Sequence, residues 1–240
     1  MDGKTKRYLI VNADDFGLSF GVNRGIIEAY EHGIVTSASL MVNWIGAADA
    51  AAYARRHPTL SLGLHLDLGE WAYRDGEWVA LYEEVPLHDA TAIETEVKRQ
   101  LASFRFFLGK EPSHIDSHQH VHRKEPVRAI VTRIARELSI PLRHFNSSIG
   151  YCGNFYGQTA EGEPYTEAIS VDGLIQTLET LPPGITELCC HPGYGDDLDT
   201  MYRVERAIEV QTLCDPRVSA ALDELAIELC SFDDMVSPGI

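Results

Sequence analysis

The sequence predicts an α/β fold, a single-domain distorted (β/α) barrel of about seven parallel strands spanning residues 1–240. Two observations carry this reading. A short apolar or β-branched run is followed repeatedly by an amphipathic helical stretch, with no internal repeat and no low-complexity linker. The polar residues able to do chemistry also fall at the C-terminal ends of nearly every predicted strand, which is how a barrel builds its functional rim.

Tyr8–Asn12 (YLIVN) is a nearly continuous apolar strand of the fully buried kind. Asn23–His32 reads as helix, with Gly33 as its stop. Ser37–Val42 is strand, and the Ala-rich Ala47–Arg56 is helix, ended by Pro58. Leu60–Leu66 is the third strand, and a loop excursion over 67–89 separates it from the helix Ala92–Leu108. His114–Ser117 is strand four and Pro126–Leu138 is helix, Pro126 suiting its first turn. Leu142–Phe145 is a short fifth strand, followed by a Gly-rich excursion over 146–167. Val171–Thr180 is helix, Thr186–Cys190 strand, Arg203–Cys214 and Val218–Leu225 helices, and Ile227–Phe232 the last strand.

Composition narrows the partners. With 45% hydrophobic and 23% charged residues the chain reads as a soluble globular protein. Its 36 acidic against 20 basic side chains give a formal charge of −16, which repels nucleic acid and anionic membranes. A neutral or weakly basic substrate fits better. The opening MDGKTKRYLIVNADDFG has too short an apolar run for a secretory signal core, and no stretch approaches a membrane span. Five cysteines without a CxxC read as reduced thiols of a cytoplasmic protein, which makes the sequon at Asn146 coincidental.

Four stretches hold candidate chemistry. In ADDFG, Asp14 and Asp15 follow a buried strand, and their repulsion would be relieved by a divalent cation on one, leaving the other free as a base. Capping of a helix N-terminus is the commoner use of such a pair. In GLHLD, His65 faces opposite to Leu64 and Leu66; alone, it reads as a core histidine as readily as a ligand. In HIDSHQHVH, period two puts His114, Asp116 and His118 on one face, with His114 at the end of the strand usually given to stability. Asp116 is suited to orient a neighbouring imidazole. His120 and His122 read as polar loop residues, although a ligand pair of His118 with His122 at i,i+4 spacing stays open. In CCHPGYGDD, the Pro192-Gly193 turn would hold His191 rigidly at the rim, as ligand, acid or simple turn residue. The sum is an Asp-His-His set with a spare Asp and a spare His, and three protein ligands with open positions describe a catalytic rather than a structural metal site.

NADDFGLS, GLHLD, HIDSHQHVH and CHPGYGDD, in this order over nearly the whole chain, resemble the YdjC-like family of carbohydrate deacetylases. The resemblance implies a barrel similar to the NodB-type deacetylases and one divalent metal ion, Mg2+ or Zn2+. It also implies removal of acetyl from an N-acetylated sugar such as a chito-oligosaccharide, releasing acetate and an amino sugar. Matched position by position, it implies Asp15, His65 and His118 as metal ligands, Asp14 as base and His191 as acid. The substrate, a small oligosaccharide or amino sugar, is assigned to Asn43, Trp71, Arg143 and Tyr156. Tyr73, Trp78, Tyr151 and Phe155 are further aromatics able to stack on sugar faces or to anchor loops. A homo-oligomer is compatible with this reading.

Two rivals differ in class. Gly17-Leu18-Ser19-Phe20-Gly21 matches GxSxG between a strand and a helix, which would make Ser19 the nucleophile of a serine hydrolase. Against it, Ala13–Phe16 separates the strand from the motif, and there is no HGGG-like stretch. A non-catalytic sugar- or metal-binding module on the same fold would need a damaged base or ligand, and none is visible.

Overall fold

The computed structural model describes residues 6–74, 76–198 and 200–236. Its core is a curled sheet in which all strand pairings are parallel, in the order β6-β3-β2-β1-β8-β7 with β9 added on β1. The strands are β1 (Arg7–Phe16), β2 (Ser37–Leu40), β3 (Ser61–Leu66), β6 (Ile115–Ser117), β7 (Ile149–Cys152), β8 (Gly184–Cys190) and β9 (Ile227–Cys230). Helices α1 (Phe20–Glu31), α2 (Ala47–Arg56), α3 (Ala90–Leu108), α4 (Val127–Leu138), α5 (Val171–Glu179), α6 (Val204–Leu213) and α7 (Pro216–Glu224) connect them. None of the helices among the described residues is long and apolar enough to cross a membrane.

The apolar run that marks strand one becomes the axis of the sheet. Leu9, Ile10, Val11 and Ala13 have no solvent exposure. The first half of β1 lies between β8 and β9, and from Asn12 onward β2 takes the place of β9. This change of neighbour helps curl the sheet into a half-barrel. One main core fills the space between sheet and helices, and a small second cluster of Ile10, Ile149, Cys230 and Phe232 sits toward the start of β1. His114 stacks on Phe232 with ring centroids 3.7 Å apart, in keeping with the stabilising end of the strand.

Two predicted connections differ. Leu142–Phe145 is not a strand: Leu142 makes a single bridge to Ile115, Arg143 turns into a buried ion cluster, and His144 adopts φ 67°. The extended segment comes later, as β7, inside what reads as the second excursion. The first excursion contains an antiparallel hairpin of β4 (Gly69–Arg74) and β5 (Glu77–Glu83). Its sequence signal is the Asp75-Gly76 pair between aromatic-rich runs, with Gly76 at φ 89°.

Packing is tight where β3 meets His114. A Cβ on Gly63 would lie 2.4–2.5 Å from three atoms of the His114 ring. That ring is itself held by Ser39 Oγ at 3.0 Å and Ser113 Oγ at 2.9 Å. Gly63→Ala should therefore lower stability by about 1–3 kcal/mol, the usual cost of overpacking. Urea unfolding measures it, and an unchanged midpoint would mean that the His114 plug yields freely.

Candidate active site

Successive residues of a regular strand point to opposite faces, so Asp14 and Asp15 should diverge. They do not. The β1–β2 register runs Ala13↔Ala38 and then Phe16↔Leu40, so that both aspartates oppose Ser39 alone. The extra residue is a β-bulge, with Asp15 in the left-handed region at φ 67°. Both carboxylates thereby reach one cavity of about 770 Å³ at the C-terminal rim of the sheet, while being only 2% and 1% exposed.

Each carboxylate has its own arginine. Arg143 donates to both oxygens of Asp14, at 2.6 and 2.7 Å, and also pairs with Asp116 at 2.7 Å and Glu187 at 2.6 Å. Arg206, from α6, donates to Asp15 Oδ2 at 2.6 Å. Burial alone would raise both aspartate pKa values, but the guanidinium groups prevail and hold Asp14 below and Asp15 well below the ordinary carboxylate range. Both are ionised at neutral pH.

Because Arg206 takes Oδ2, Asp15 Oδ1 is free to face the imidazoles. It lies 3.2 Å from Nε2 of His65 at the end of β3 and 3.2 Å from Nδ1 of His118 just after β6. Ligand atoms around a tetrahedral zinc sit about 3.3 Å apart, so this carboxylate and two imidazoles suit a divalent cation. Asp116 Oδ1 holds His65 Nδ1 at 2.7 Å, the carboxylate-behind-imidazole arrangement that orients a ligating histidine. The orienting role expected of Asp116 matches this contact.

His191 follows β8 and presents Nε2 4.0 Å from Asp14 Oδ2, flanked by Tyr156 and Tyr202. Its backbone N–H donates to Glu209 Oε2 at 2.5 Å. Burial lowers its pKa to about 4, so the ring is neutral in the resting protein.

Of the residues assigned to substrate, Trp71 and Tyr156 line the cavity. Arg143 does not serve that purpose: its side chain is wholly buried and spent on three carboxylates. Asn43 is also misassigned, because its amide pairs with Glu96 and Arg99 on α3, away from the cavity lining. Tyr151, Phe155 and Trp78 do reach the lining. His122 is no polar loop residue either. It is fully buried, with Nδ1 on Ser117 Oγ at 2.6 Å and Nε2 donating to the Arg143 carbonyl at 3.2 Å, which leaves neither nitrogen for a pair with His118. Ser19 is the N-cap of α1: its Oγ accepts from Val22 N–H and donates to Asp197 at 2.7 Å. The GxSxG reading thus loses its nucleophile.

Sequence reasoning missed Arg206, Glu70 and Gln119. Arg206 sits in an ordinary helical pattern and gives no signal. Glu70 stands 3.9 Å from His118 Nε2. Gln119, in a left-handed turn at φ 48°, clamps the hairpin with its side-chain amide: Oε1 accepts from the Trp71 N–H at 2.9 Å and Nε2 donates to the Trp71 carbonyl at 2.8 Å.

A parallel α/β half-barrel with a carboxylate–imidazole cluster at its C-terminal rim is the class defined by this fold and site. Residues 8–224 match the family model for YdjC-like proteins. A chitooligosaccharide deacetylase of Serratia marcescens is 34% identical, covering 96% of this chain and all of that one. A solved structure from Enterococcus faecalis, provisionally named a cellobiose-phosphate cleavage protein, superposes with a TM-score of 0.76 at 26% identity, covering 97% of this chain and all of that one. A family 4 carbohydrate esterase from Streptomyces lividans shares the fold, with a TM-score of 0.54 at 13% identity over 95% of this chain and 92% of that one. The chain belongs to the YdjC-like family, and its fold is the distorted barrel expected from sequence.

The buried ion cluster carries a stability prediction. Arg143→Ala leaves Asp14, Asp116 and Glu187 without their shared counter-charge and should cost about 3–5 kcal/mol. Arg143→Lys should recover only part of this, because an ammonium cannot hold three carboxylates in a fixed fork. Denaturant midpoints of the two variants check both statements.

Proposed function

We propose that the protein is a metal-dependent carbohydrate N-deacetylase acting on a small N-acetylated sugar of the chito-oligosaccharide kind. The observation that carries this reading is Asp15 Oδ1 at 3.2 Å from both His65 and His118, with the ionised Asp14 alongside in the same cavity. The relatives named as carbohydrate and chitooligosaccharide deacetylases support it.

Asp15, His65 and His118 would hold the ion, Mg2+ or Zn2+, which when bound polarises the acetyl carbonyl and acidifies water. Asp14 is the base that takes the water's proton as its oxygen attacks the carbonyl carbon. Arg143 and Asn12 grip Asp14 from behind and fix its direction, with Asn12 Nδ2 2.9 Å from Oδ1. The departing nitrogen needs a proton, since an amide nitrogen does not leave as an anion. His191 starts neutral, so it can deliver one only after receiving it, and Asp14 Oδ2 lies 4.0 Å from its Nε2. Water thus supplies a hydroxyl to acetate and a proton to the amine. Trp71 and Tyr156 offer flat faces for the sugar rings.

Acetate release from N,N′-diacetylchitobiose should vanish on chelation and return with a single divalent ion. Asp15→Ala, His65→Ala or His118→Ala should lose bound metal and activity together. Asp14→Asn should keep the metal and lose about 10²–10⁴-fold in turnover. A fully active Asp14→Asn would refute the base assignment, and sugar binding without acetate under every ion would point to a binding module instead.

A further inference from the structure

Beside the first set of donors lies a second one that the reaction does not require. Cys189, the penultimate residue of β8, is buried and directs Sγ to within 3.4 Å of Asp14 Oδ2. The same sulfur lies 4.0 Å from His191 Nε2, and that nitrogen lies 4.0 Å from the same Asp14 oxygen. The three donor atoms therefore form a nearly equilateral triangle, with edges of 3.4, 4.0 and 4.0 Å. Around a tetrahedral zinc with one sulfur ligand, the edges to sulfur are about 3.5 Å and the nitrogen–oxygen edge about 3.3 Å, so closure needs an inward shift of the His191 ring of about 0.5–0.7 Å. All three residues line the cavity that also reaches Asp15, His65 and His118, so an ion arriving at one set can reach the other. The adjacent Cys190 takes no part, because its thiol donates to the Asn12 carbonyl.

We propose that Asp14, Cys189 and His191 form a second, inhibitory site for a thiophilic divalent cation such as Zn2+ or Cd2+. The inference rests on the deacetylase reading, since the ion would occupy the residues assigned there as base and proton carrier. Its donors are softer than the oxygen and two nitrogens of the first set, so hard Mg2+ is excluded and zinc or cadmium admitted. It is also the weaker of the two. Arg143 donates to both oxygens of Asp14, whereas Asp15 keeps Oδ1 clear of its arginine. Binding replaces the thiol S–H with an S–metal bond and releases one proton to water. With the ion in place, the Asp14 lone pair that faces the cavity is no longer available to a water molecule.

Cobalt(II) titration of metal-free protein tests this directly. The first equivalent should give only visible bands of a nitrogen- and oxygen-ligated ion. A second equivalent should add a near-ultraviolet thiolate-to-cobalt charge-transfer band. With zinc, acetate release should peak at one equivalent and then fall by about a hundredfold, the low end of what losing a general base costs. In Cys189→Ser the second equivalent, the charge-transfer band and the fall, each compared within that variant, should all disappear while the first equivalent remains. Absence of the band in the wild-type chain overturns the proposal without recourse to any variant. So does a second equivalent or an inhibition that persists in Cys189→Ser, or a second ion that activates. Failure of the parent reading looks different: one ion bound at the first set, with no acetate released.

Discussion

The structure is organised around one electrostatic problem, two adjacent carboxylates buried together at the end of a parallel strand. Two unit charges 4 Å apart repel by about 4 kcal/mol even at an effective dielectric of 20. The solution is a division of labour between arginines that come from distant parts of the chain, Arg143 for Asp14 and Arg206 for Asp15. One lies 129 residues away in sequence and the other 191. The two pairings form only when the segment after α4 and helix α6 have been brought to the end of β1, so assembling the barrel and assembling the site are the same event. Removing an arginine would leave a buried charge unpaired, which ties stability to the geometry of the rim.

Much of this was legible in the sequence, for a physical reason. Buried parallel strands favour apolar runs, and YLIVN declares itself by a nearly continuous one, while in LSLGLHL every second residue is leucine. Turn chemistry placed His191 after β8, and period two grouped Asp116 with its neighbours on the site face. The bulge was not legible, because period-two reading assumes one residue opposite one, and the register shift at Asp14–Asp15 breaks that assumption. Arg143 and Arg206 escaped notice as buried counter-ions because charged residues in such contexts read as solvent-facing. Their roles depend on carboxylates far away in sequence, information that no local window contains.

The stretch HIDSHQHVH shows how density of one residue type can mislead in detail while pointing to the right region. His114 packs on Phe232, and His118 faces Asp15. His120 meets Tyr151 Oη at 3.1 Å, and His122 braces the Arg143 carbonyl. Burial lowers the pKa of His114 to about 4 and of His120 and His122 to about 3, so these three stay neutral. A neutral imidazole offers one donor, one acceptor and a flat face, which suits it to a tightly filled interior. Only His118, whose carboxylate neighbours outweigh its burial, has its pKa raised.

The asymmetry between the two aspartates then follows from how many oxygens each arginine takes. Arg206 donates to Asp15 Oδ2 alone, so Oδ1 keeps its lone pairs for His65 and His118. Arg143 is bidentate on Asp14, which fixes the carboxylate plane and weakens it as a cation ligand, yet leaves one lone pair of Oδ2 directed at the cavity. A strictly alternating strand could not present these two chemistries side by side. The bulge does so with a single extra residue, and Cys189 and His191, arriving from β8 on the other flank of β1, complete the surroundings of the freer lone pair. What distinguishes the two carboxylates is therefore the number of hydrogen bonds behind each, since the residue type is the same.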